Sequence, residues 1–322
     1  MDFRKANGAI VLLALFLVSC IPCRAVTEDA SLGFKLFQRG QFAQAFPRLR
    51  AARDSRPNDF SINYYYASCA YELGKRSEAV NAFCRFFVMS TPLNQFTPSA
   101  EKCFNNIVGP ARPYSCKLGN TLIRWSNPNV PVRIYVTEGL ELPYGLSGTL
   151  LNTRGITRYR PYLRSSSFLK TLPVSQRYKS ELHDSACTAL SNWQFLIDNK
   201  ILKYELVDKP ENADVIVFWC GSIVEGRQGL TTYPDSKGTS YPLRTTPGDP
   251  IIIQLVTADA FSVYKNATHE YGHVWGLQHS HDPNDIMYVR ANTTATVSAN
   301  DMLTVRVLYQ LPAEIYLLSP KR

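Results

Sequence analysis

The stretch 269–279 reads HEYGHVWGLQH and contains three of the chain's five histidines. His269 and His273 are four residues apart, so on a helix they lie on one face, one turn from each other. Two imidazoles in this arrangement can bind one zinc ion. Glu270 follows the first of them directly, so it projects beside the metal, where it can act on a water molecule. The stretch therefore predicts a helix that carries a metal centre.

The residues after this helix supply a third ligand. Gly276 lets the backbone turn sharply, and the turn returns His279 to the metal from another direction. Three nitrogen ligands leave a fourth position for water, as in catalytic rather than closed structural zinc sites. His281 could replace His279 as ligand or orient substrate, but the spacing HExxHxxGxxH favours His279. We interpret His281 as a bystander.

The pattern HExxHxxGxxH resembles the active-site motif of the metzincin zinc peptidases. Ser280 follows the third histidine directly, and Asp282–Tyr288 is similar to the family's Met-turn. These residues narrow the resemblance to the matrixin-like, peptidase M10-type branch. The resemblance implies that Met287 lies beneath the metal as a hydrophobic base. Val289 stands where other branches have a metal-binding tyrosine, so no fifth ligand is implied.

The matrixin-like resemblance covers most of the chain from Val130 on, and we assign residues 130–322 to a peptidase domain. It implies an α+β fold with a twisted, mixed five-stranded sheet and three helices. It also implies one catalytic Zn²⁺, with the ligands His269, His273 and His279. Glu270 would be the general base and acid of a zinc endopeptidase that hydrolyses protein or peptide substrates. The alternative is a non-catalytic binding or adaptor protein with a zinc-holding, peptidase-like fold.

The sequence also departs from the matrixin-like pattern. No cysteine-switch segment precedes the domain, so latency by a cysteine–zinc bond has no support. No set of histidines remains for the second, structural zinc site of vertebrate members, and His183 is interpreted as a surface or packing residue. The stretch 229–238 could hold calcium, but Asp235 is its one carboxylate, so an ordinary loop is expected.

Apolar patterns predict the elements around the motif. Strands are expected at 130–136, 202–207, 213–219 and 251–256, and a helix at 175–199. Ser298 and Asp301 form a capping-box pattern at the start of a last helix. The strand 251–256 is expected beside the active helix, where an extended substrate would add to its edge.

A 34-residue spacing marks the region before residue 90. Gly40 and Gly74 are 34 residues apart, and so are Ala45 and Ala79. This spacing resembles tetratricopeptide repeats, in which glycine ends the first helix of a pair and alanine lies where the two helices meet. We assign residues 26–108 to an all-α domain of such repeats, whose expected role is to bind a protein partner. A plain bundle of helical hairpins is the alternative.

Residues 1–25 have the layout of an export signal. Arg4 and Lys5 precede the apolar run Ala9–Val18, which is too short for a typical membrane span. The sequence LVSC, which ends at Cys20, has the form of a bacterial lipobox; ordinary cleavage before Val26 is the alternative. The protein is therefore expected to be exported, to the periplasm, to the outer membrane as a lipoprotein, or to the medium.

Six cysteines follow this segment, and an even number in an exported chain allows three disulfides. The predicted pairs are Cys69–Cys84, Cys103–Cys116 and Cys187–Cys220. Residues 109–129, rich in Pro, Gly, Ser and Asn, are interpreted as a linker. Between Glu141 and Glu181 the chain has seven Lys or Arg and no acidic residue. We expect a long basic surface loop there, either solvated or docking an acidic partner.

The formal net charge is +9. This charge suits association with an envelope or membrane surface. No nucleic-acid-binding motif accompanies it, so nucleic acid is not expected as a partner.

Overall fold

A computed structural model of the chain describes residues 28–91, 94–118, 122–142, 162–223, 226–234, 250–290 and 293–311, and the backbone of Tyr316–Leu318. The chain divides between Ala111 and Arg112 into two units. Cys20 of the predicted lipobox and Asp235 of the predicted calcium loop lie outside the described residues. In the part described, no helix has the length and apolar character that crossing a membrane requires.

The first unit is all-helical, as predicted. Its helices are α1 (28–38), α2 (Phe42–Ser55), α3 (Phe60–Glu72), α4 (Arg76–Met89) and α5 (Thr97–Val108). From α2 onward each helix packs on the next one along the chain. Ala45 and Ala79, which share the 34-residue spacing, are both fully buried.

The turns after α1 and α3 have the same geometry. Gly40 has φ 72° and Gly74 has φ 70°, a region in which glycine is favoured. The residue after each glycine donates its N–H to the carbonyl five residues earlier, at 2.9 Å for Gln41 and 2.8 Å for Lys75. This bond is typical of the Schellman motif at a helix C-terminus. The 34-residue spacing therefore corresponds to two helical hairpins with equivalent turns.

The second unit contains a mixed five-stranded sheet, which confirms the α+β prediction. The strands are β1 (Ile123–Trp125), β2 (Val132–Glu141), β3 (Tyr204–Leu206), β4 (Val215–Cys220), β5 (Gly229–Thr232), β6 (Ile251–Val256) and β7 (Tyr316–Leu318). The sheet order is β3-β2-β4-β6-β5, with β5 antiparallel to β6 and the other pairs parallel. β1 and β7 form a separate parallel pair. β4 is buried at all six positions, because it lies at the centre of the sheet.

The helices of this unit are α6 (Ser166–Leu169), α7 (Ser180–Thr188), α8 (Phe195–Asp198), α9 (Ala260–Val274) and α10 (Ala299–Gln310). The predicted capping box is confirmed at α10, where Ser298 and Asp301 each accept the other's backbone N–H. The helix predicted at 175–199 is interrupted, because a 3₁₀ segment, Ala189–Trp193, separates α7 from α8. The Trp193 indole in this segment donates to the carbonyl of Thr268, so packing on α9 sets its path.

The predicted role of strand 251–256 as a substrate-binding edge is wrong. This strand is β6, and it is bonded to β4 on one side and to β5 on the other. Its backbone groups are therefore used within the sheet. In the described part of the sheet, the outermost strand on this side is β5. It forms the start of the stretch 229–238, which was predicted to be a loop.

The linker predicted at 109–129 is not a linker from residue 112 on. The Tyr114 hydroxyl donates to Asp301 at 2.7 Å, and the Trp125 indole donates to the carbonyl of Val274 at 2.9 Å. Cys116 and Ile123 are buried in the same segment. Long-range contacts therefore hold this Pro- and Gly-rich segment inside the second unit.

In the basic stretch between Glu141 and Glu181, the structure describes Leu142 and residues 162–180. Leu163 and Leu169 are buried there, in one cluster with Phe218 of β4. Arg164 donates to the carbonyl of Ala213 at 2.6 Å. This part of the stretch is thus packed on the sheet and is not a solvated loop.

None of the three predicted disulfides is present, because all six cysteines of the described residues are free thiols. Cys220, for example, donates to the carbonyl of Leu255 within the sheet. An even number of cysteines was compatible with pairing, but it did not determine which thiols come together.

Candidate metal centre and active site

The helix predicted from the histidine pattern is α9. Asp259 caps its start by accepting the N–H of Ser262 at 2.9 Å, and the helix ends at Val274. Gly276 then turns the chain with φ 97°. A Cβ at this glycine would overlap the carbonyl oxygen of Ile123, so the turn fits closely against β1. The turn brings the following residues back to the helix face that carries the first two histidines.

The three predicted ligands lie together. The ring centroids of His269 and His273 are 5.0 Å apart, and the His279 ring lies 4.9 Å from the second and 5.4 Å from the first. One nitrogen from each ring can be chosen so that all three lie within 4.8 Å of one another. No other group of three His, Cys, Asp or Glu residues in the described ranges is as compact. His281 is not part of this group.

Backbone carbonyls fix two of the rings. Nδ1 of His269 lies 2.7 Å from the carbonyl oxygen of Ile286, and Nδ1 of His273 lies 2.9 Å from that of Leu277. A carbonyl oxygen only accepts, so Nδ1 carries the hydrogen in both rings and Nε2 keeps its lone pair. Burial lowers the pKa of both imidazoles, and it lowers that of His279 to about 4. All three rings are therefore neutral at pH 7.

Met287 packs against α9 at Gly272. The methionine side chain is fully buried, and a Cβ on this glycine would overlap its Sδ atom. The N–H of Ser280 donates to the carbonyl of Met287 at 2.7 Å, within a bridge between Ser280 and Tyr288. The segment after the third histidine thus folds back against α9.

A buried carboxylate joins this turn to α10. Asp301 is fully buried, and it accepts the N–H of Ile286 at 3.0 Å and the hydroxyl of Tyr114 at 2.7 Å. The carbonyl of the same Ile286 bonds the ring of His269. The orientation of the His269 ring therefore depends on α10 and on Tyr114, which lies in the segment predicted to be a linker.

Glu270 lies between α9 and β5. The Thr231 hydroxyl donates to its Oε2 at 2.6 Å, and a Cβ at Gly229 would lie 2.5 Å from its Oε1. Burial raises the pKa of this carboxyl to about 7, and the hydrogen bond from Thr231 opposes the rise. A carboxyl with a pKa near neutrality can both accept and return a proton.

The comparison with known families matches the part of the chain that carries this geometry. Residues 175–310 match the family model Matrixin, Peptidase_M10. A search of curated proteins gave no match. The match begins before α7 and includes β3 to β6, α9, the Met-turn and α10. Together with the mixed sheet, it supports a matrixin-like domain of the zinc metallopeptidase type within the second unit.

The donor set of the three-histidine group fits a zinc ion. Zinc binds neutral imidazole nitrogen at about 2.0–2.1 Å, and His269, His273 and His279 together offer three such atoms. Backbone carbonyls on the opposite ring nitrogens are the usual second partners of zinc-bound histidines. These three residues would hold the ion.

Four residues of this site were not identified from the sequence. Thr231 and Gly229, which position the Glu270 carboxylate, belong to a strand too short to show alternation. Tyr233 donates its hydroxyl to the carbonyl of His273 at 2.6 Å. Trp125 donates to the last carbonyl of α9. Only the tertiary fold brings these side chains to the helix.

Proposed function

We propose that the matrixin domain is a zinc-dependent endopeptidase with Glu270 as general base and general acid. One observation carries the proposal: three neutral imidazoles converge on one point, and a buried carboxylate lies next to the first of them in sequence. A structural zinc site would require four protein ligands, whereas this group offers three.

When bound, zinc would supply Lewis-acid chemistry, polarising a carbonyl group and making water acidic. Glu270 takes the proton of the attacking water at Oε1 and delivers it to the amine that leaves. Thr231 holds Oε2 by its hydrogen bond, so the carboxylate is fixed before substrate arrives. Gly229 leaves room for the carboxylate between the strand and α9.

The strand β5 is the proposed docking edge for substrate. It is the outermost described strand on its side of the sheet, and it runs antiparallel to β6. An extended peptide can add to such an edge through backbone hydrogen bonds. Because Gly229 and Thr231 of this strand contact Glu270, a peptide bound along β5 would pass close to the carboxylate.

The test is the variant Glu270→Gln. We expect it to keep the shape and the zinc of the site, because the amide has nearly the same volume. Its rate of peptide cleavage should fall by about 10²–10⁴-fold, the usual contribution of acid–base catalysis. Zinc content by elemental analysis and cleaved termini of a peptide library by mass spectrometry give the two readouts. The exposed Glu205→Gln on β3 is the matched control.

Undiminished cleavage by Glu270→Gln would remove this residue from the mechanism. Cleavage that persists after a chelator has removed all zinc would contradict the metallopeptidase proposal. The alternative, a non-catalytic adaptor with a peptidase-like fold, predicts no cleavage by the unchanged protein in either condition.

We further propose that the protein is exported and that the helical unit binds a protein partner. The export signal supports the first point, and the two equivalent hairpins support tetratricopeptide-type binding. The mass of the mature N-terminus decides between a lipidated Cys20 and cleavage before Val26. Salt-sensitive sedimentation with envelopes would show association of the basic protein with an anionic surface.

A further inference from the structure

A basic side chain lies just before the strand β5, at the proposed docking edge for substrate. Arg227 is exposed and stands two residues before Gly229, the first residue of β5. The carbonyl of the intervening Gln228 accepts the N–H of Val256 at 3.0 Å, so the pairing with β6 extends one residue beyond the strand. The backbone next to Arg227 is therefore held by the sheet.

The alternation of the strand sets the direction in which Arg227 projects. The hydroxyl of Thr231 and a Cβ placed at Gly229 both meet the carboxylate of Glu270, so their common face is directed towards α9. Residues two apart in an extended chain share a face, and their Cα atoms lie about 7 Å apart. The side chain of Arg227 therefore starts on the face that contacts Glu270.

The charge of Arg227 acts on two groups of the site. Burial raises the pKa of Glu270 to about 7, and the hydrogen bond from Thr231 and then the charge of Arg227 oppose this rise. Burial lowers the pKa of His279 to about 4, and the charges of His269 and Arg227 lower it further. One guanidinium thus lies near both the carboxylate and the third histidine, where the reacting peptide bond would be.

The surroundings of this guanidinium favour a negatively charged substrate. The three imidazoles are neutral at pH 7, so they would add no negative charge to a zinc ion. The exposed His281 is a further basic group beside His279. The whole chain has a formal charge of +9, which attracts acidic chains over a distance.

We propose that Arg227 determines substrate specificity by binding the carboxylate of a Glu or Asp side chain within about two residues of the cleaved bond. The inference rests on the proposed endopeptidase function and on docking of the substrate along β5. A guanidinium presents two parallel N–H donors to a carboxylate, which the ammonium group of lysine does not. The substrate class is therefore peptides with an acidic residue beside the cleaved bond.

A direct role of Arg227 in catalysis fits less well. Groups that stabilise a transition state act from positions that exclude water, whereas Arg227 is exposed. A guanidinium that donated to the reacting carbonyl would also assist every peptide bond alike. That role predicts the same loss of rate for acidic and neutral peptides when Arg227 is removed.

The experiment compares peptides that differ by one carboxylate. The full-length protein cleaves a set of amidated Ala- and Leu-rich peptides with Glu or Gln at each position in turn. We expect Glu at a position near the cleaved bond to raise kcat/KM about tenfold over Gln, a modest factor because Arg227 is exposed. Arg227→Ala should reduce this ratio to about 1 and Arg227→Lys should keep part of it. Arg227→Glu should favour Lys at the same position.

The exposed Arg306→Ala on α10 is the matched control and should keep the full preference. Equal rates for Glu and Gln at every position, or an undiminished preference in Arg227→Ala, would overturn the proposal. A preference for a free C-terminal carboxylate over the amide, without one for a Glu side chain, would assign Arg227 to the chain end and also overturn it.

Binding separates a failure of this proposal from a failure of the peptidase proposal. In a Glu270→Gln background, fluorescence anisotropy gives the Kd of the Glu and Gln forms of each peptide. We expect the Glu form to bind about tenfold more tightly, and Arg227→Ala to remove the difference. Cleavage without an acidic preference contradicts the role of Arg227 alone. Arg227-dependent binding of the Glu form, without cleavage by the unchanged protein, supports the role of Arg227 in recognition and contradicts the peptidase proposal.

Discussion

The histidines of α9 and the single histidine of α7 are held by different kinds of partner. On α9, His269 and His273 have their Nδ1 atoms bound to backbone carbonyls. On α7, the partners of His183 are side chains, and Glu138 and Asp184 are 71% and 82% exposed. Backbone partners cannot rotate away, whereas exposed carboxylates can.

This difference separates preorganised rings from an adaptable one. The fold orients two rings of the first group, the three histidines at α9, through backbone carbonyls, whereas largely exposed carboxylates are the charged neighbours of His183. Changes around the first group should therefore alter activity and stability strongly, and changes around His183 should have little effect.

The largest effect is expected from Gly229→Ala. The added methyl would lie 2.5 Å from Oε1 of Glu270, and the carboxylate can avoid it only by rotating away. Activity should fall by about 10²–10⁴-fold, the contribution of acid–base catalysis, with little loss of stability. Steady-state peptide cleavage measures the activity, and thermal unfolding measures the stability. Gly221→Ala has open space around it and should keep full activity; equal losses in the two variants would show that preorganisation of Glu270 is not the cause.

The second-largest effect is expected from Asp301→Ala, which removes the carboxylate that accepts the N–H of Ile286. The buried N–H of Ile286 and the hydroxyl of Tyr114 lose their acceptor, so the free energy of unfolding should fall by about 3 kcal/mol. Zinc affinity should fall by about 10–100-fold, because the partner of His269 shifts. Unfolding in denaturant measures the free energy of unfolding, and competition with a zinc indicator measures the zinc affinity. Unchanged zinc affinity in a destabilised variant would show that the first group does not depend on this support.

A smaller loss is expected from Gly272→Ala. The methyl would displace the buried Met287 side chain, which has Trp193 close to the same point. Overpacking of this kind destabilises by about 1–3 kcal/mol. For a unit of about 200 residues this lowers the unfolding midpoint by roughly 2–4 °C per kcal/mol. The second change Met287→Ala should restore part of the midpoint, and no such rescue would exclude a direct clash.

The smallest effect is expected from Asp184→Asn beside His183. Its carboxylate is largely exposed, and exposed ion pairs contribute little to stability. The unfolding midpoint should therefore not change measurably. A clear loss of stability would show that side-chain partners hold His183 as firmly as backbone carbonyls hold the histidines of α9.

Local patterns in the sequence were sufficient to predict that His269, His273 and His279 lie together. The four-residue spacing of His269 and His273 and the capping box at Ser298 are properties of single helices, and the structure contains both helices. The apolar run of β6 was also predicted. Each of these signals lies within a few neighbouring residues, where helix or strand geometry fixes which side chains share a face.

The supporting residues could not be predicted because their partners are distant in sequence. Tyr114 bonds a carboxylate 187 residues later, and Trp125 bonds the end of α9 149 residues later. Composition alone suggested a linker there. The neighbour Glu138 of His183 likewise comes from a strand earlier in the chain, and only the fold shows it.

The internal position of β2 in the sheet has a consequence for dividing the protein into fragments. β2 lies between β3 and β4, yet it precedes the segment 175–310 that matches the family model. A fragment cut to that segment would expose one side of β4 and invite pairing with other chains. It would also lose Trp125, whose indole donates to the carbonyl of Val274 at the end of α9. We therefore expect the smallest autonomously folding form of the second unit to start near Arg112, well upstream of the segment that matches the family model.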